Sequence, residues 1–427
     1  MNKMLIISLV VCISLQALTL EQSVELGLKN STKLKEVALS QELVNVNKKS
    51  KEASQFGNFD IIGSFDHYNL PRTLAPLTPS TIFPGIATTD NLMSTGVKYS
   101  VALFTGYAQT KNIEIEEIQK NSAEIFEKLT QEQIVYNIKN IYLSLLSLQK
   151  QQEALDDYIS AQKEFIGTIH DAVSLGKKAY IEELKAQSDL QESLYKKQTL
   201  THSEKILRES LRYFTNEEVG VLSDVPIDIV QKEFDIKSLE ALERVKALEL
   251  TLKILDKKIG MKNSYKYPQI SFDAYYGQNF GFNDASNPNE GDFNNQELLQ
   301  AGFKVQYTLY DFGAKSYESQ ALEMQKLQTQ AQNDGVKREL YRDIHIALSA
   351  LNKAIADFKS STTKYELLET SAEIEKARYD NGLASINDVL FVNAQKELAK
   401  ASMIDTKYSY QKAVYYIEYI LEKGVIK

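Results

Sequence analysis

The sequence predicts a mainly helical protein whose helices are interrupted by four β-strands and whose whole plan is used twice. Three observations carry this. The 427-residue chain has only 18 Gly, 7 Pro and no Trp, and its polar stretches are rich in Gln, Glu and Lys, a composition suited to long helices. Segments of apolar/polar alternation stand between segments of helical period. Landmarks of the first half return in the same order 206 or 207 residues later, the mark of a duplication.

The N-terminal stretch MNKMLIISLVVCISLQA has Lys3, an apolar run from Met4 to about Leu15, and Ala17 before a polar helix start. This is the pattern of a cleaved secretory signal peptide over residues 1–17, too short to anchor in a bilayer. Val11 stands where a lipoprotein signal wants a small residue before Cys12, so a plain signal is expected. Cys12 is the only cysteine, which leaves the mature chain without disulfide or thiol chemistry. Removing Lys3 takes the net charge from −8 to about −9, which disfavours nucleic acid as a partner. No run of 18 apolar residues follows, so any membrane crossing falls to strands.

The duplication divides the mature chain into a first repeat (18–214), a linker (215–235) and a second repeat (236–427). Ser64-Phe65-Asp66-His67-Tyr68 returns as Ser271-Phe272-Asp273-Ala274-Tyr275, 207 residues on. Leu103 and Leu309, Gly176 and Gly382, and Leu184 and Leu390 are each separated by 206. Each repeat reads helix, strand, loop, strand, long helix, turn, long helix.

Strands are expected near 59–70, 95–104, 268–277 and 300–310, with polar loops over 71–94 and 278–298. In GVKYSVALF, Val97, Tyr99, Val101 and Leu103 oppose Lys98 and Ser100. In AGFKVQYTL, Phe303, Val305, Tyr307 and Leu309 oppose Lys304, Gln306 and Thr308. Such alternation fits a half-buried soluble sheet, or a barrel strand with lipid on one side and a polar lumen on the other. The signal peptide and long polar loops favour the barrel, with Tyr in place of Trp at the interfaces.

The long helices show a heptad. Ile134, Ile138, Ile141, Leu145, Leu148, Gln152, Leu155, Ile159, Gln162, Ile166, Ile169 and Val173 step by four and three, the seam of a coiled coil. A helix from about Tyr107 to Ala172 would be roughly 100 Å long. Leu340, Ile344, Leu348, Leu351, Ile355 and Phe358 repeat the idea. Each long helix then meets a glycine turn, at Gly176 in VSLGKKAYIEELKAQ and at Gly382 in RYDNGLASINDVL, where a left-handed residue ends the helix. Each turn has an acid six residues after its glycine, Glu182 and Asp388. Gly106 and Gly313 mark the bend from strand to helix.

Four strands cannot close a membrane barrel, since about eight is the minimum, and an open edge in lipid leaves backbone groups unpaired. Copies of the chain must pool their strands: two would supply eight with a filled lumen, three would supply twelve and a channel.

With these residues in view, the chain resembles the outer-membrane efflux protein family, the TolC-like channels. LTLEQSVELGLKNSTKL (18–34) is similar to the family's opening helix, LFTG and LYDFGAKSYESQAL to its strand-to-helix junctions, and RYDNGLASINDVL to its periplasmic hairpin. The resemblance implies a homotrimer in the outer membrane of a Gram-negative bacterium. Long coiled-coil hairpins would form a periplasmic α-barrel, and four strands per protomer a twelve-stranded β-barrel in outer-membrane lipid. It implies an exit duct for efflux or type I secretion, served by a periplasmic adaptor and an inner-membrane pump of resistance-nodulation-division or ABC type. Gly176, Lys177 and Lys178, with Gly382, Leu383, Ala384 and Ser385, would form the hairpin tips and adaptor dock. Asp388 and Glu182 would lie at the channel entrance, up to six carboxylates in a trimer if they face inward. The competing role for these acids is to sit against a helix N-terminal dipole, and Glu182, beside Glu183, suits that role better than Asp388. This chain departs from the family in its Lys177-Lys178 pair and in Phe391, where some relatives carry a second acid.

Enzyme chemistry is not expected. His67, His170, His202 and His345 are scattered without a second ligand at metal spacing, and there is no Gly-rich phosphate loop, so neither metal nor cofactor is assigned. The alternative is a secreted coiled-coil scaffold or adhesin with a small soluble β head. It shares the signal and the heptads but does not account for four strands of barrel length. Drug, metal and protein cargo use the same body plan; six Met and no mature Cys give no support to a soft-metal route.

Overall fold

The computed structural model describes residues 17–76, 88–234, 239–282 and 293–424. The signal segment before Ala17 and the middles of both strand-connecting loops lie outside the described residues. The order is α1 (Leu20–Asn30), α2 (Thr32–Ala53), β1 (Asn58–Thr73), β2 (Thr88–Phe104), α3 (Ala108–Ser174), α4 (Tyr180–Thr215), α5 (Glu243–Lys262), β3 (Gln269–Phe282), β4 (Phe293–Gln306), α6 (Ala314–Asp380) and α7 (Ile386–Ile420). The duplication is visible in this order, and α3 and α6 are both 67 residues long.

The chain folds as two compact units, each drawing on both repeats. One comprises Leu39–Glu124 and Ala247–Asp334 and contains the sheet. Its four strands are antiparallel in the order β1-β2-β3-β4. Cross-strand rows run through Phe59, Tyr99, Ala274 and Ala301, and through Ile61, Val97, Tyr276 and Leu299. Because side chains alternate with period two, this face is apolar, and it is exposed: Ile61 by 87% and Leu299 by 74%. The opposite face carries Asn58, Ser100 and Asp273 in one row and Asp60, Lys98 and Tyr275 in the next. There Lys98 pairs with Asp273 at 3.6 Å, and Ser100 donates to the same carboxylate at 2.9 Å.

Strand lengths differ from the sequence expectation. β1 and β2 keep pairing beyond the alternating segments, through Phe65↔Met93 and out to Thr73↔Thr88, and β3 and β4 pair out to Phe282↔Phe293. Much of what reads as loop in 71–94 and 278–298 is therefore ladder. β4 ends at Gln306 rather than near 310, because Gln306 faces Gln269, the first residue of β3; Tyr307 to Tyr310 have no described strand beside them.

The other unit, Met1–Ala38, Ile125–Lys246 and Gly335–Lys427, carries α1, α4, α7 and most of α3 and α6 among its described residues. None of the heptad residues from Ile134 to Val173 is exposed. Ile134, Ile138, Leu145 and Leu146 pack with Leu20, Leu211 and Tyr408 in one core. Leu340, Ile344 and Leu351 pack with Val414, Ile417 and Ile420 in a second. α1 starts with a capping box between Thr19 and Gln22. The inter-repeat linker after Thr215 has no helix among its described residues and is tied down by buried phenols. The Tyr142 hydroxyl lies 2.7 Å from the Leu18 carbonyl and 2.8 Å from that of Ser223, Tyr408 donates to Asp224, and Tyr410 donates to the Val230 carbonyl at 2.8 Å. Burial pushes the Tyr142 hydroxyl up to about 12, so it stays a donor at neutral pH.

Candidate functional site

Both hairpin tips end their long helix in the same way. Gly176 has φ 70° and Gly382 φ 71°. Lys177 N–H reaches back to the Ala172 carbonyl (2.8 Å) and Gly176 N–H to Val173 (2.9 Å); Leu383 N–H reaches Arg378 (2.7 Å) and Gly382 N–H reaches Tyr379 (3.0 Å). These paired bonds are the Schellman closure, which needs a left-handed residue at the glycine position. The duplication is thus preserved down to individual hydrogen bonds.

The returning helices start differently in the two copies, and one pair of residues explains it. α7 begins at Ser385, whose hydroxyl accepts from Asp388 N–H, while the Asp388 carboxylate accepts from the Ser385 N–H (2.8 Å) and hydroxyl (2.7 Å). Those bonds from Ser385 hold the Asp388 carboxyl below the usual aspartate range. The equivalent of Ser385 in the first repeat is Ala179, which makes no side-chain cap. Glu182, the equivalent of Asp388, is thereby released from its own turn and reaches the other hairpin, accepting the Tyr379 hydroxyl at 2.8 Å. The two acids thus differ in their bonding: Asp388 caps its own helix, and Glu182 joins the hairpins.

Tyr379 is the centre of this arrangement. Its ring is 5% exposed and packs with Ile169, Ala186, Ile386 and Val389, edge-on to Phe165 at 5.7 Å. Lys178 places its ammonium 3.6 Å from the ring centroid and 3.7 Å from the Glu182 carboxylate, so one cation serves both partners. Burial, together with the bond to Glu182, raises the Tyr379 pKa well above that of a free phenol. Nearby, buried Glu183 accepts from His170 (3.2 Å) and Gln187 (3.1 Å), closing the first hairpin on itself. Around this core the tips expose apolar side chains: Leu175, Tyr180, Leu383 and Phe391.

Sequence reasoning does not single out Tyr379. Its only signal there is the duplication, which sets a tyrosine three residues before Gly382 where Val173 precedes Gly176. Lys177, Ala384 and the remaining turn residues lie where the sequence puts them, at the two fold-backs.

The strand-to-helix junctions are built on Gly106 (φ 61°) and Gly313 (φ 86°). A side chain at Gly106 would also come within 2.4 Å of the Ser264 carbonyl, so glycine is needed there for space as well as for conformation. At the second junction Asp311 accepts from the N–H groups of Gly313 (3.0 Å) and Lys315 (3.1 Å), starting α6.

Residues 237–421 match the outer membrane efflux protein family model. The second repeat is therefore similar to the outer membrane efflux protein family. By the duplication, the first repeat shares its plan. No curated protein is matched by the sequence. The fold is that of solved outer-membrane channels. The CmeC outer membrane channel of Campylobacter jejuni superposes with a TM-score of 0.78 at 17% identity, covering 95% of this chain and 86% of that one. CusC gives 0.78 at 14% identity, covering 94% and 91%. VceC of Vibrio cholerae gives 0.73 at 14% identity, covering 95% of each chain. The likeness in fold to these solved structures thus spans the sheet as well as the helices.

Proposed function

We propose that the protein is the outer-membrane exit duct of a tripartite efflux or type I secretion system, passively conducting substrates that an inner-membrane pump delivers. The observation that carries this is the sheet: four barrel-length strands, an exposed apolar face, a polar face bearing Lys98 and Asp273, and open edges on β1 and β4 among the described residues. In lipid each unpaired edge group would cost several kcal/mol. Joining β4 of one copy to β1 of the next removes both edges, and three copies give a twelve-stranded barrel with a water-filled lumen.

On this reading the hairpin tips are the periplasmic entrance. Tyr379, Glu182 and Lys178 hold the two hairpins of one protomer together there, so release of this contact is the local event that widens the entrance. The exposed tip residues, with Gly176 to Lys178 and Gly382 to Ser385, are the docking surface for a periplasmic adaptor. Asp388 is exposed beside the opening and, with Glu182, supplies carboxylates that favour cations in a narrow aqueous passage. The test is single-channel recording in planar bilayers. Discrete conductance with cation preference, weakened in Asp388→Ala and further in the Asp388→Ala/Glu182→Ala pair, is expected. Absence of conductance from correctly folded protein would refute the duct.

A further inference from the structure

Two bulky residues adopt the left-handed backbone conformation at the strand-to-helix junctions, Tyr107 (φ 69°) and Phe312 (φ 57°). Large side chains avoid this region, and a structure that holds them there invites a functional reading. The duplication did not copy the position: Tyr107 follows Gly106, whereas Phe312 precedes Gly313. The copies share the result, an aromatic ring turned out where strand becomes helix, 55% exposed for Tyr107 and 85% for Phe312. Tyr107 stands edge-on to Phe104 (5.3 Å) and Tyr267 (5.7 Å), and Phe312 to Tyr310 (4.7 Å).

Two lysines belong to the same rim. The Lys266 ammonium is 5.9 Å and the Lys315 ammonium 5.6 Å from the centroid of one ring, Tyr265. Neither forms an ion pair with a described residue. The neighbouring carboxylates are engaged elsewhere, Glu318 with Lys262 at 2.9 Å and Asp311 with the backbone at the start of α6. Two cations near one ring, with no acid paired to them, form a local positive site on a chain whose net charge is −8.

We propose that this rim docks anionic phospholipid headgroups of the leaflet facing the helices, with the rings at the headgroup boundary and Lys266 and Lys315 receiving the lipid phosphate. This rests on the membrane-barrel reading above. A zwitterionic lipid brings its own ammonium and gains less from the pair, and the overall negative charge gives no general attraction to anionic lipid, so a preference must come from the site.

The test is native mass measurement of lipid retained by the full-length protein extracted from phosphatidylethanolamine vesicles with and without phosphatidylglycerol. Wild type should retain phosphatidylglycerol over phosphatidylethanolamine by roughly thirtyfold, the effect of two lysines at a membrane surface. Lys266→Gln/Lys315→Gln should lose that preference while keeping its single-channel conductance. Equal retention by wild type and variant overturns the proposal and leaves the channel reading intact. Full displacement by inorganic phosphate alone also overturns it, in favour of a free-anion site. Failure of wild type to enter either vesicle strikes the barrel reading instead.

Discussion

Tyr379→Phe removes one oxygen atom from the tip and leaves the ring in place, which makes it a clean perturbation. The ring should stay seated, because its packing against Ile169, Ile386 and Val389, its contact with Phe165 and its cation contact with Lys178 do not use the hydroxyl. The variant loses the 2.8 Å bond to the Glu182 carboxylate. A hydrogen bond to a charged group contributes about 1.5–3 kcal/mol. Here the lower part of that range applies, because the Glu182 side chain is 22% exposed and retains Lys178 at 3.7 Å, so water and the ammonium recover part of the loss. A change of about 1–2 kcal/mol shifts the balance between joined and separated tips roughly 5- to 30-fold. Hydrogen exchange should rise by that factor at the turns around Gly176 and Gly382 and stay unchanged in the Tyr142 core. Open probability in bilayer recordings should rise in step. Glu182→Gln, which keeps an acceptor without the charge, should fall between wild type and Tyr379→Phe. Unchanged exchange at the tips, or a loss of protection spread through the helices, would refute a hydroxyl that joins the hairpins.

Gly382→Val and Gly106→Val should separate conformational strain from steric clash. Gly382 has no atom near its missing side chain, so the substitution should cost only the left-handed term of about 1–2 kcal/mol and impair adaptor crosslinking before barrel insertion. Gly106→Val adds the collision with Ser264 and should block assembly; equal thermal stability of the two variants would contradict this. Ser385→Ala should lower stability by about 1 kcal/mol through loss of the cap, measured by thermal unfolding, whereas Ala179→Ser should stabilise α4. The pH dependence comes from the two pKa shifts at the tips. The Tyr379 pKa is raised in the folded state, so its contribution is fully present below the free phenol value near 10 and is lost as pH rises through the folded value. The Asp388 pKa is lowered, so its contribution is present above about 4 and is lost as pH falls through the folded value. Tip exchange rates that are flat between these limits and rise outside them are expected.

Much of this fold is legible in the sequence because periodic burial leaves a periodic trace. The heptad from Ile134 to Val173 lies along the packed side of α3, and Val97, Tyr99 and Val101 lie on the apolar side of β2. Strand ends are less legible, because pairing such as Phe282↔Phe293 depends on the neighbouring strand and continues through polar residues with no alternation of their own. The tips show the same division. Glycine announces a left-handed turn by its chemistry, so Gly176 and Gly382 are readable. The partner of Glu182 is 197 positions away in the chain, and only the exchange of Ser385 for Ala179 between the copies hints that one acid is held at home and the other is free. The phenols that pin the linker are equally silent, since a Tyr in a long helix reads as core whether or not its hydroxyl has an acceptor to meet.

Closing the barrel requires that copies of the chain pool their strands, and native mass of the full-length mature protein in mild detergent reads this out. Three copies per particle, with the β-sheet signal lost when the particle is dissociated, is the expected result. A folded monomer that keeps its sheet and needs no detergent would contradict it.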